Sequence, residues 1–252
     1  MVYTFVFSPC GSTKKVADVL AEEFSSVKQE VDLTDPKKNF ASVSLQAQDL
    51  AIVVVPSYGG RVPAVAIDRI QKIQGNKAKA IAVVVYGNRA YEDTLMELKD
   101  TLEEGGFQIL AAVSAIARHS IVHTIAADRP DTNDVETLKR FAQQILQKYT
   151  EGQMSEVKVP GNHPYKKAGG TPMIPKPTKD CNQCGECAKL CPVQAIDPHN
   201  VKKVDKQRCI SCMRCVEICP KHARKINELL YFAAEKMLSK SCAERKENEL
   251  FI

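Results

Sequence analysis

Eight of the ten cysteines fall between Cys181 and Cys219, in a spacing that repeats. Cys181, Cys184, Cys187 and Cys191, followed by Pro192, map 28 residues on to Cys209, Cys212, Cys215 and Cys219, followed by Pro220. Each run reads C-x2-C-x2-C-x3-C-P. Three cysteines so close in sequence lie on one tight loop, where their sulfurs converge on three corners of a cube. The fourth stands just past them, and the proline turns the chain away. This is the ligand pattern of paired 4Fe–4S clusters, in which the fourth cysteine of each run serves the other cluster. The expected ligand sets are therefore Cys181, Cys184, Cys187 and Cys219 for one cluster, and Cys209, Cys212, Cys215 and Cys191 for the other. Such crossing ties both runs into one small domain with little apolar core, so cluster assembly and folding should be coupled. Structural zinc usually takes two C-x2-C pairs, and disulfides need an oxidising compartment; both fit this spacing less well. Residues 179–220 hold seven Lys or Arg and five Asp or Glu, a formal charge of +2. Nearby cations favour the reduced form of an anionic cluster, which tends to raise its potential above that of an acidic protein.

A second constellation lies near the N-terminus. An apolar run leads into Ser8, Pro9, Cys10, Gly11, Ser12 and Thr13, and then into helix-like residues. A hydroxyl-rich turn at a helix N-terminus is an anion site, because free N–H groups and the helix dipole point at the ligand. Neither G-x-G-x-x-G nor G-x4-G-K-[ST] occurs there, so dinucleotide and Walker-type sites lose support, and the donors suit a single terminal phosphate. Taken alone, the segment reads equally as an ordinary helix cap made by Ser12 or Thr13. Two further loops follow apolar runs: Pro56, Ser57, Tyr58, Gly59 and Gly60, and then Gly87, Asn88, Arg89 and Tyr91. The glycines permit close backbone approach to a flat ring. Tyr58 and Tyr91 could stack on it, or be half-buried loop residues. His119 and His123 could contact the same ligand or the cysteine-rich half, or be satisfied structural histidines.

The elements that position these loops follow from periodicity. Strand-like apolar runs cover 3–7, 50–55, 80–86 and 107–117, with a weaker edge at 30–33; amphipathic stretches cover 14–24, 63–73, 91–103 and 134–149. The alternation predicts βαβ units and a parallel sheet with helices on both faces. Five strands in this length suit a doubly wound sheet of order 2-1-3-4-5, whose ligand sits at the carboxyl ends of the strands where strands one and three meet. The three loops share that edge. The expected organisation is an α/β domain over 1–150, a linker over 151–178, a cysteine domain over 179–220 and a helical tail over 221–252. Five of the thirteen prolines fall in the linker, which gives it polyproline character. The tail lacks Gly and Pro, and Leu229, Leu230, Phe232, Ala233, Met237 and Leu238 could form an apolar stripe against one of the domains. Cys242 reads as a small buried helix residue.

Composition excludes several classes. With 252 residues, 44 % hydrophobic and 26 % charged, the chain reads as globular. Its net charge of +5 is spread out, without the basic, aromatic-interleaved run of a nucleic-acid surface. No apolar run reaches the roughly 18 residues of a membrane span. The opening MVYTFVFSPCG has no basic region before its apolar stretch, which argues against a signal peptide and for a cytoplasmic, reducing location.

Residues 1–150 resemble flavodoxin, whose phosphate loop is T/S-x-T-G-x-T: Ser8, Gly11 and Thr13 match, and Cys10 replaces the middle Thr. A thiol is a weak donor, so one phosphate hydrogen bond is lost or comes from backbone. PSYGGRVP, VYGNRAYEDTL, RHSIVHTIAADRPD, PGNHPYKK and AERKENELF together resemble the flavodoxin–ferredoxin fusion family, the EFR-type flavoferredoxins. The resemblance implies a flavodoxin-like domain holding FMN and a small ferredoxin-like domain holding two 4Fe–4S clusters. FMN takes electrons singly or in pairs and each cluster one at a time, so the combination implies an electron-transfer protein coupling the two kinds of step. Its partners would be redox proteins, with donor and acceptor open, and a homodimer is one arrangement. Two other readings stand beside it: a flavin-dependent reductase of a small electrophile, fed through the clusters, and a degenerate flavodoxin fold acting only as a docking module. The carrier is the favoured reading.

Overall fold

The computed structural model describes residues 1–24, 28–169 and 173–252. Residues 170–172, part of the expected linker, lie outside the described residues.

Five strands run parallel: β1 (Val2–Val6), β2 (Lys28–Asp32), β3 (Leu50–Pro56), β4 (Lys79–Tyr86) and β5 (Gln108–Ile116). Their order is β2-β1-β3-β4-β5, the one expected of a five-stranded doubly wound sheet. The residues of β3 are all buried, which is what continuous Val and Ile runs do when helices cover both sheet faces. Only Val31 of β2 is buried, in keeping with its edge position. Helices α1 (Ser12–Glu22) and α4 (Thr132–Thr150) lie on one face, where Val16, Leu20, Leu138 and Ile145 join Ile52 and Val83 in one core. Helices α2 (Ala64–Ile70) and α3 (Thr94–Glu104) cover the other, where Ile70, Leu95, Leu98 and Leu102 meet Phe5, Val53 and Val84.

After α4 the chain does not hang free. Val157 is buried in the α2–α3 core, and Asp93 accepts hydrogen bonds from the amides of Asn162 (2.9 Å) and Lys166 (2.6 Å). The cysteine-rich region follows, built around a two-residue pair β6 (Lys176–Pro177) and β7 (Arg224–Lys225) and two one-turn helices, α5 (Glu186–Lys189) and α6 (Arg214–Glu217).

The tail, expected to be helical over most of its length, is helical over fewer than half of its residues. Helix α7 covers Glu228–Ser241, and the chain then returns to the sheet as β8 (Glu249–Phe251), antiparallel to β5. The sheet thereby has six strands among the described residues. The apolar stripe divides as well. Leu229, Phe232 and Met237 are 79, 63 and 72 % exposed, whereas Ala234 is buried, with Tyr231, Leu238 and Cys242 packed beside it. Apolar residues occupy both sides of α7, and only one side can face the protein. The polar link from tail to sheet is Asn248, whose side chain accepts from the Ile116 amide (2.9 Å) and donates to Asp134 (3.0 Å). Asp134 is also the buried partner of Arg129.

Candidate functional site

Strand β1 delivers the chain into the phosphate-type loop, where Gly11 adopts φ +84° and serves as N-cap of α1 without any side-chain cap. A left-handed residue is cheap there only as glycine. Neither Ser12 nor Thr13 caps the helix; Ser8 does part of that work, its hydroxyl accepting from the Lys14 amide at 2.9 Å. The other first-turn amides are thus available to an anion at the positive end of α1.

This loop opens into a cavity of about 610 Å³, counted with its mouth, at the carboxyl ends of the strands. Cys10, Ser12, Thr13 and Pro56 line it with Ser57, Tyr58 and Gly59, and the far wall carries Gly87, Arg89 and His119. The remaining expected contacts do other work. Gly60 presses its backbone against Glu92, while Gly87 in the cavity wall can approach His119 only because it lacks a Cβ. The Asn88 side chain donates to the carbonyls of Cys242 and Glu244, both at 2.9 Å. Tyr91 packs edge-on against Tyr86, with centroids 5.2 Å apart, and its hydroxyl donates to Glu249 at 2.7 Å. As a ring-stacking residue Tyr91 is therefore corrected: β8 takes its side chain, and the loop after β4 is clamped by the tail. Tyr58 remains at the cavity, half-buried, and burial followed by the neighbouring Cys212 and Cys10 pushes its phenol well above the usual tyrosine range.

His119 closes the cavity. Its Nδ1 accepts from the amides of Ile121 (3.2 Å) and Val122 (3.0 Å), which leaves Nε2 to carry the proton. Burial first, then His123 and Arg89, pull its pKa down to about 4, so the ring is neutral at ordinary pH. His123 instead lies 3.3 Å from Glu217 of α6.

The cysteine runs are structurally equivalent as well as equivalent in sequence. Left-handed Gln183, Gly185 and Gln194 recur 28 residues on as Ser211, Met213 and His222. The Ala195 amide donates to Cys191 Sγ at 3.3 Å, and its counterpart, the Ala223 amide, to Cys219 Sγ at 3.3 Å. Two small cavities result, one walled by Cys181, Cys184, Cys187 and Cys219, the other by Cys191, Cys209, Cys212 and Cys215. These are the crossed sets expected from spacing. In the second, burial raises the Cys212 thiol to about 12 and the Cys215 thiol to about 11, with Cys191 and Cys209 adding to both. Thiols crowded in this way ionise when metal replaces their protons, the chemistry a four-iron cluster brings. No three His, Cys, Asp or Glu side chains among the described residues gather around a single ion.

Both halves meet at this edge. The Cys10 thiol donates to the Cys212 carbonyl at 2.9 Å, Arg69 donates to the Pro192 carbonyl at 2.6 Å, and Arg118 pairs with Glu217 at 3.2 Å. A further cavity of about 1310 Å³, open-mouthed, runs from Tyr58, Gly59 and His119 to Cys209 and Ser211. The weak donor in the phosphate-type loop has thus been turned toward the cysteine-rich half.

Comparison with known proteins agrees with this geometry. The flavodoxin family model matches residues 5–157. The chain belongs to the flavodoxin family. A 4Fe-4S dicluster domain matches residues 173–244, so an N-terminal flavodoxin and a C-terminal ferredoxin share one chain. No curated protein matches it. Among solved structures, Streptococcus pneumonia TIGR4 flavodoxin is similar at 19 % identity and TM-score 0.40, covering 59 % of this chain and 99 % of its own. Two-electron reduced Megasphaera elsdenii flavodoxin is similar at 15 % and 0.37, covering 57 and 99 %. Rubredoxin oxygen:oxidoreductase from the anaerobe Desulfovibrio gigas is similar at 19 % and 0.43, covering 60 and 36 %.

The cofactors of this flavodoxin–ferredoxin are FMN and two 4Fe–4S clusters, and the chain is an electron-transfer flavo-iron-sulfur protein. The residues fit them: uncapped amides and hydroxyls at α1 for the phosphate, a loop-walled cavity beside it, and four sulfurs around each of two small cavities. No helix among the described residues is long and apolar enough to cross a membrane. The tail clamp on the loop after β4 escaped sequence reasoning, because its partners lie some 150 residues apart.

Proposed function

We propose that this chain conducts electrons between the FMN site and a redox partner through its two cluster sites in series, joining two-electron to one-electron chemistry. The hydrogen bond from Cys10 in the phosphate-type loop to the carbonyl of Cys212 carries the reading. It makes the set of Cys191, Cys209, Cys212 and Cys215 the inner one, sharing a wall with the flavin site. Buried Cys191 and Cys212 support that order, and exposed Cys184 supports an outer set at which a partner protein docks. Bound FMN supplies exchange of one or two electrons, and each cluster one. The residues of this chain hold the two halves together through Cys10, Arg69 and Arg118, exclude water around Cys212, and keep His119 neutral beside the ring site. On the same reading the eight cysteines are the cluster ligands, and Cys10, Ser12, Thr13, Tyr58 and Gly59 contact FMN.

Rapid anaerobic mixing with substoichiometric dithionite tests it. Flavin absorbance and cluster EPR signals should re-equilibrate in a step whose rate does not depend on protein concentration. Independent filling of flavin and clusters, without exchange, would overturn the reading.

The large second cavity supports one other reading, reduction of a small electrophile next to Tyr58 and His119. Turnover of such a compound by the loaded protein, with saturation kinetics, would favour it over a pure carrier.

A further inference from the structure

The 28-residue repeat breaks at one informative place. Ala195 and Ile196 of the first run correspond to Ala223 and Arg224 of the second, so a cation stands where its equivalent is apolar. Arg224 is 3 % exposed and forms part of the wall of both four-cysteine cavities. Its Nη1 donates to Cys187 Sγ at 3.4 Å and to the Val201 carbonyl at 3.0 Å, and Nη2 donates to the Pro175 carbonyl at 3.3 Å. The same side chain also lines the cavity of the other set, together with Cys215. Its Nε is buried without a partner. Among the described residues it has no carboxylate partner, unlike buried Arg129, which is held by Asp134.

A buried guanidinium without a counter-ion is strongly destabilising. Carbonyl dipoles satisfy its protons but do not cancel its charge. The negative charge within reach is that of the thiolate sets on either side, since a cluster held by four thiolates is anionic and becomes more so on taking an electron. We infer that Arg224 is a shared counter-ion for both cluster sites: it donates to a sulfur of one set and walls the cavity of the other, favours the reduced form of both, and raises the two potentials together. It acts through the ligands and so is a positioning and tuning residue. The inference rests on the cysteine assignment proposed above.

The test compares holoprotein with the variants Arg224→Met, which keeps length without charge, and Arg224→Lys, which keeps charge without the fork. Iron content and the two midpoint potentials, by EPR-monitored redox titration with dithionite, are the readouts. Wild type should hold about eight irons, as two four-iron clusters require. Arg224→Met should weaken the electron affinity of both clusters by at least about tenfold, 59 mV for a one-electron couple, with Arg224→Lys nearer to wild type. Loaded Arg224→Met with both potentials unchanged, or with only one moved, overturns the inference. If Arg224→Met holds no iron, loading of Arg224→Lys supports the charge role, and its failure to load overturns it in favour of packing. A wild type without iron overturns the cysteine assignment as well, which separates the two failures.

Discussion

Phe5, Phe7, Ile52, Ile81 and Leu98 of the flavodoxin half are at most 1 % exposed, and apolar layers enclose both faces of its sheet. The ferredoxin half buries a small group, in which Cys191 sits among Ala188, Ala195, Ile196 and Val201. One half therefore draws its stability from area removed from water. The other has too little of that area and is organised around cysteine sulfurs, N–H···S bonds and a buried arginine. A site built on a packed scaffold keeps its shape when its ligand leaves; a site whose ligand is its core does not.

Removing the iron is the strongest way to break this contrast. After chelation under oxidising conditions, amide hydrogen exchange should accelerate throughout residues 179–226 while β1, β3, β4 and β5 keep their protection. Equal protection of both halves would show that the cysteine-rich half folds without its clusters.

Acid probes the seam between the halves. The pKa of His119 is pulled down to about 4 by burial, against about 6.5 for an unfolded histidine. At intermediate pH the unfolded chain binds the extra proton, so the contribution of the neutral ring is full above about pH 6.5 and is lost as pH falls toward 4. The loss amounts to about 3 kcal/mol at most. Denaturant melts of wild type and His119→Asn, whose carbonyl can accept the same two amides, should diverge across that window. A variant with an unchanged acid limb would assign the loss elsewhere.

Tyr91→Phe gives the smallest effect and sharpens the picture within the flavodoxin half. Removing the hydroxyl that donates to Glu249 should cost about 1 kcal/mol of stability and leave FMN affinity unchanged. A loss of FMN affinity, measured by flavin fluorescence, would return Tyr91 to the ring site.

How far the molecule was legible from its residues depends on the range of the interaction. The apolar runs of β3 and β4 report burial on both faces, so the parallel sheet could be read from periodicity, and its order followed from the doubly wound fold that such a pattern suits. The spacing of the two cysteine runs could be read too, because three cysteines on one short loop need only local geometry. Tyr91 could not be placed from sequence, since a loop tyrosine looks the same whether it faces a ring or Glu249. The tail reads as helical over most of its length, and nothing near residue 249 announces that a last short strand will find the open edge of β5.

Local patterns thus specified the elements, the cluster spacing and the phosphate-type turn, because each depends on side chains within one or two turns of chain. Tertiary packing decided where Cys10 donates, which cysteine set lies against the flavin site, and that Arg224 stands between both sets. Those relations join residues up to some 200 positions apart. They follow from two surfaces excluding water against each other, which short-range sequence patterns do not encode.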